Sequence, residues 1–87
     1  MNFKASIKIT LRKGILDVQG KAVEHALHSI EFPMMNNVRI GKYVTLKVNA
    51  PHKNKAMELA KEACEKLIAN PIIEDFFIEI EEDKEAK

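Results

Sequence analysis

Three histidines, one cysteine and a cluster of carboxylates are the residues of this 87-residue chain whose types could do chemistry. His25 and His28 stand three apart in a stretch with helical spacing, so their side chains are neighbours. That spacing can hold a metal, but a third ligand is needed and the sequence indicates none, so a solvated or interface-facing pair is the simpler reading. His52 follows Pro51 and reads as a loop residue. Cys64 falls on an apolar stripe between Ala60 and Leu67, which points to a buried structural thiol and away from a nucleophile. Glu81, Glu82 and Asp83 read as a solvated tail and not as an acid/base pair. There is no G-x-G-x-x-G and no G-x-x-x-x-G-K-[ST], so no familiar loop cradles phosphate. The run Arg39-Ile40-Gly41-Lys42-Tyr43 comes nearest to a binding motif. Lys42 projects from an otherwise apolar face, where it blocks an edge, meets solvent, or pairs with a partner or a buried acid. Tyr43 and Phe77, on otherwise polar faces, are candidate interface aromatics. Met34 and Met35 either meet a partner or fill core gaps. No catalytic constellation and no metal set emerges.

Length sets the next bound. One domain, residues 1–87, fits. A chain this short buries only about 60–65% of the surface it exposes unfolded, which leaves a thin stability margin. At 46% hydrophobic and 31% charged residues, collagen-like, disordered and disulfide-rich classes are excluded. The lone cysteine cannot form an internal bridge, and a reducing cytoplasm is the expected setting. No apolar run approaches the roughly 18 residues that span a bilayer, and Met1 to Arg12 alternates unlike a signal peptide, so no membrane partner is expected. The net charge of +1 hides an asymmetry, with +7 over residues 1–55 and −6 over residues 56–87. Such polarity fits either a nucleic-acid face or self-complementarity. The second is preferred, because no basic cluster is interleaved with aromatics.

These residues must be positioned by a small set of elements. Phe3, Ala5, Ile7, Ile9 and Leu11 alternate with polar residues, which predicts a strand with one buried face. Lys13-Gly14 breaks it, and Asp17 is placed to cap a helix over about 18–30 carrying Ala22, Val23, Ala26, Leu27 and Ile30 on one side. Gly20 costs that helix roughly 0.5–1 kcal/mol relative to Ala, which implies a close neighbour there. Val38, Ile40, Val44, Leu46 and Val48 share one parity, so Asn37 to Asn49 reads as one long strand, bent or bulged at Gly41. At about 3.3 Å per residue it would run on the order of 40 Å, long for so small a domain. A second helix over 53–69 carries Ala56, Leu59, Ala60, Ala63, Cys64, Leu67 and Ile68, with Asn70 taking a left-handed C-terminal conformation and Pro71 ending it. Phe76, Ile78 and Ile80 mark a third strand, and the acidic tail 82–87 frays.

The fold class is therefore α+β, in the order β-α-β-α-β, with two helices on one face of an antiparallel sheet. A ferredoxin-like unit needs βαββαβ, and one long strand here stands where two belong. If its halves serve different sheets, two copies complete two ferredoxin-like units by segment exchange.

Three blocks also carry a family resemblance. They are Asp17-Val18-Gln19-Gly20-Lys21-Ala22-Val23 with Ala26-Leu27-His28, then Val38-Arg39-Ile40-Gly41-Lys42-Tyr43, then Ala63-Cys64-Glu65-Lys66-Leu67-Ile68-Ala69-Asn70-Pro71-Ile72-Ile73-Glu74. In order and spacing over nearly the whole chain, they resemble the small (PurS) subunit family of phosphoribosylformylglycinamidine (FGAM) synthase. Ile68, Ile72 and Phe77 are conservative departures, and Met34-Met35 sits in a variable loop. The resemblance implies a non-catalytic part of a three-part amidotransferase in purine synthesis. In that family a glutaminase subunit releases ammonia, and a large synthetase subunit uses ATP and Mg to convert formylglycinamide ribonucleotide to the amidine. The small subunit is a homodimer or dimer of dimers that bridges the other two and assists ammonia transfer. It binds no cofactor alone. By matching position, Asp17, Gln19, Gly20, Arg39, Gly41 and Lys42 become candidate partner or channel contacts.

Rival readings are a ferredoxin-like RNA-binding module and a small-molecule regulatory dimer. The first lacks the RRM signature. A standalone enzyme lacks a site.

Overall fold

The computed structural model describes residues 1–83, in the order β1 (Asn2–Leu11), α1 (Val18–Ser29), β2 (Lys42–Asn49), α2 (Lys53–Ala63), a π-helical turn (Cys64–Ile68) and β3 (Glu74–Glu82). The three strands form one antiparallel sheet in the order β2-β1-β3. β1 is the centre because it is the longest strictly alternating run, and both edges can pair with it. Its inward residues Phe3, Ala5, Ile7 and Ile9 are all buried, as the alternation predicts.

The helix α2 lies on that face. Ala56, Ala60 and Cys64, spaced by four, are buried against the sheet. Small side chains let the helix approach closely, so the core is thin and divides into two connected groups. One gathers Phe3, Ala5, Ala50, Ala56, Ala60 and Ile80, and the other gathers Ile7, Ile9, Cys64 and Ala69. His52 caps α2, its Nδ1 accepting from Lys55 N–H at 3.2 Å, so it is more than a loop residue. The helix ends in the π turn instead of running regularly to 69. The wider turn leaves Leu67, expected on the apolar stripe, 86% exposed while Ile68 stays half-buried. Asn70 does not turn left-handed. Its side chain accepts from Ile72 N–H, and the Glu74 carboxylate accepts from its own N–H. The left-handed residues are Glu31 and Asn37, and Glu31 closes α1 with Phe32 N–H donating back to Leu27.

Two expectations change in detail. The ladder of β2 starts at Lys42, not Asn37, and residues 38–41 run on beyond it. Gly41 sits at that divergence, where a Cβ would lie 2.6 Å from the Ile9 carbonyl oxygen. The second helix expected on the sheet face is not this chain's own α1. That helix stands off the sheet's end with only Gly20 buried, and Val23 and Ile30 lie exposed. The radius of gyration is correspondingly 16.7 Å, against about 12 Å for a compact chain of this length. At the other end β3 runs through Glu82, paired with Phe3, and Asp83 N–H donates to Asn2, so the acidic stretch begins in the sheet. The rest of the expected frayed tail, 84–87, lies outside the described residues.

Candidate functional site

The site is built where the turn after β1, the start of α1 and the approach to β2 converge. Asp17 is the N-cap, with extended backbone and one carboxylate oxygen accepting from Gly20 N–H at 2.8 Å. Its second oxygen accepts from Ile40 N–H at 2.7 Å, across 23 residues of chain. One buried carboxylate thus joins two segments. The Ile40 and Gly20 amides, in that order, hold its carboxyl below the usual carboxylate value, with the Arg39 charge adding to the effect against desolvation.

Glu24 lies two helical turns further on the same face, and its Oε1 accepts from Val38 N–H at 3.2 Å. Arg39 points the other way. Its guanidinium donates to the carbonyls of Leu11 (3.2 Å), Arg12 (3.1 Å) and Ile15 (3.3 Å), tying down the turn between β1 and α1. Gly20 is required by closeness, since a Cβ there would lie 2.3 Å from the Val38 carbonyl oxygen. The close neighbour inferred from the sequence is therefore residue 38. His28 adds a further tie, its Nε2 lying 2.8 Å from the Met35 carbonyl.

Beside this clasp, Lys42 pairs with Glu74 at 3.5 Å. The Lys42 end is exposed while the Glu74 carboxylate is mostly covered, so the lysine is neither free nor buried. A cleft of about 330 Å³ opens between the clasp and the sheet end, walled by Leu11, Leu16 and Ile40 and rimmed by Gln19, Lys42 and Glu74.

Of the candidate contact residues, Asp17 and Gly20 meet directly, Arg39 ties the adjoining turn, Gly41 follows Arg39 and Ile40 in the chain, and Gln19 and Lys42 edge the neighbouring cleft. Tyr43 and Phe77 are elsewhere. They flank Lys8 in one row across the sheet's helix-free face and are 62% and 60% exposed. Burial, aided by the Glu65 charge, raises the Cys64 thiol above its usual range, which suits a packed thiol and not a thiolate. Among the described residues no group of three or more His, Cys, Asp or Glu side chains is placed to hold a metal ion. No helix of the described chain is long and apolar enough to cross a membrane. The sequence reading missed the backbone partners of three side chains: Glu24 and His52, which accept from amides, and His28, which donates to a carbonyl. Of these, Glu24 left a trace, standing seven residues after Asp17 on one helix face.

The chain matches known proteins along most of its length. The family model described as PurS, phosphoribosylformylglycinamidine (FGAM) synthase, matches residues 4–82. The phosphoribosylformylglycinamidine synthase subunit PurS of Bacillus subtilis is 44% identical over 80 residues, covering 92% of this chain and 94% of that one. Among solved structures, Methanocaldococcus jannaschii PurS superposes with a TM-score of 0.85 at 32% identity, covering 94% of this chain and 99% of that one. A chain of the PurLQS structure from Thermotoga maritima also gives 0.85 at 32% identity, covering 92% and 98%. The matched span takes in the clasp, β2, β3 and all but the first two residues of β1.

Proposed function

This chain belongs to the PurS family of FGAM synthase subunits, and from that membership we propose that it is the non-catalytic small subunit of the synthase in purine biosynthesis. It bridges a glutaminase subunit and a large synthetase subunit in the cytoplasm and assists the transfer of ammonia between them. The observation that carries this reading is the likeness, over nine-tenths of the chain, to a chain of the Thermotoga maritima PurLQS structure. ATP and Mg serve the complex, and this subunit holds no cofactor alone. Ammonia in bulk water at neutral pH is mostly protonated and non-nucleophilic, so a small protein that walls or hinges a shielded route serves the reaction without reacting.

A homodimer formed by segment exchange is part of the proposal. In a ferredoxin-like unit the missing strand lies beside β2, whose outer edge pairs with no other strand among the described residues. Residues 38–41 of a second copy fill that edge, and the α1 preceding them covers the sheet beside α2. The half-buried Val44, Leu46 and Val48 along β2 support this, as does the uncovered side of α1. The second helix expected on the sheet face is then supplied by the other copy. Gln19 and Lys42, at the rim of the cleft, are the exposed candidates for contact with the larger subunits or the ammonia path. Asp17, Gly20, Arg39 and Gly41 shape the wall behind them. Tyr43 and Phe77 offer a second contact on the open sheet face.

Size-exclusion chromatography of this protein mixed with the synthetase and glutaminase subunits, with ATP, Mg²⁺ and glutamine, tests the reading. Co-elution of all three is expected. Three separate peaks, with glutamine-dependent activity unchanged by omitting this chain, would reject it.

A further inference from the structure

The helix α1 raises a question of cause. It is barely packed against its own sheet, yet it holds a defined direction. Apolar burial cannot set that direction, because the stripe of Val23 and Ile30 is exposed. The long-range hydrogen bonds that hold the start and middle of α1 come from Val38 and Ile40, with Phe32 and Met35 bonded near its end.

We propose that Asp17, Glu24 and Arg39 are positioning residues that join α1 and residues 38–41 into one arm, presented at a fixed angle to a second copy of this chain. This rests on the exchanged homodimer described above. The backbone N–H groups of Val38 and Ile40, two residues apart, point to one side of an extended segment, and both end on α1 carboxylates. Glu24 and Asp17 thus occupy that edge as a neighbouring strand would. The Arg39 N–H, which alternation turns to the opposite side, has no partner among the described residues. That edge is the one free to pair with the outer edge of another copy's β2. The Arg39 side chain fastens the root of the arm through the carbonyls of Leu11, Arg12 and Ile15. Gly20 lets the first turn of α1 lie against Val38. Strand edge and apolar stripe are therefore delivered together, and a copy that pairs with one receives the other.

Substitution D17N separates this role from helix capping. Asn caps helices about as well as Asp, but it has a single acceptor oxygen and cannot serve Gly20 and Ile40 together. Amide exchange by NMR and dimer dissociation by sedimentation velocity are measured on wild type, D17N, E24A and E24Q. Wild type should protect the Gly20, Val38 and Ile40 amides and sediment as a dimer. D17N should lose protection at Gly20 or Ile40 and raise the dissociation constant about tenfold, the equivalent of one charge-assisted hydrogen bond. E24A should lose protection at Val38 and weaken the dimer, whereas E24Q, which keeps an acceptor, should restore both. If D17N and E24A lose those amides yet dimerise as tightly as wild type, the positioning role is wrong and the dimer stands. If wild type sediments as a monomer throughout, the exchanged dimer falls and the arm has nothing to receive it.

Discussion

Replacing Gly20 with alanine sets two physical effects against each other. In an exposed helix the change adds about 1 kcal/mol of stability, because alanine loses less backbone entropy. Here the added methyl would lie 2.3 Å from the Val38 carbonyl oxygen, 0.7 Å inside the 3.0 Å limit that real Cβ contacts respect, and 2.8 Å from an Asp17 carboxylate oxygen. Neither obstacle is the free end of a flexible side chain. Val38 is held through its own N–H by Glu24, and the Asp17 carboxylate is held by two amides. Overpacking costs about 1–3 kcal/mol, and two pinned obstacles place this site in the upper part of that range. The net expectation is a loss of about 1–2 kcal/mol once the gain in propensity is subtracted. It should concentrate on α1 and residues 38–41, since the sheet and α2 do not depend on this contact. Urea unfolding followed by far-UV circular dichroism gives the total, and amide exchange at Ile40 gives its location. A G20A protein more stable than wild type by about 0.5–1 kcal/mol, with Ile40 protection unchanged, would refute the close approach and the clasp built on it.

Three further outcomes follow from the same structure. The Asp17 carboxyl titrates below its unfolded value of about 3.9, so its contribution is complete above that pH and is lost as pH falls through the folded value; the stability gap between wild type and D17N, read by urea melts from pH 7 to pH 2.5, should close on acidification. Substitution I7A removes a fully buried side chain from the central strand and should cost about 2–5 kcal/mol, a large part of the roughly 4–13 kcal/mol available to a chain this size, so its denaturant midpoint should fall sharply. The Glu62–Lys66 pair on α2 is close at 2.8 Å but solvated at both ends, so K66A should shift the midpoint by the equivalent of no more than about 0.5 kcal/mol.

Local pattern carried far where one chain's own burial decides the outcome. The alternation of Phe3 to Leu11 named the buried face of β1, and Asp17 named the start of α1. Gly20 announced a close contact, but not with which residue, because its partner arrives from Val38 through folding. The stripe on α1 said that this side must be covered, yet no stripe says by whose sheet. The parity from Val38 to Val48 is real, but parity cannot tell where a ladder stops. That point is set by Asp17 and Arg39 drawing residues 38–41 off β1. The π turn at Cys64–Ile68 belongs to packing as well, and no residue in Cys-Glu-Lys-Leu-Ile demands it. Asp17, Gly20 and Arg39 were marked by resemblance before their contacts were visible. Glu24, His28 and His52 were not, since a single side-chain bond to a backbone amide or carbonyl leaves almost no spacing signature.

The most direct test of the subunit assignment is an omission assay. Purified synthetase and glutaminase subunits are supplied with formylglycinamide ribonucleotide, ATP, Mg²⁺ and glutamine, and amidine formation is followed with and without this chain. Glutamine-dependent formation should collapse on omission and return on add-back, while the chain alone forms none. Equal rates with and without it, or amidine formed by the chain alone, would contradict its place as the non-catalytic bridge.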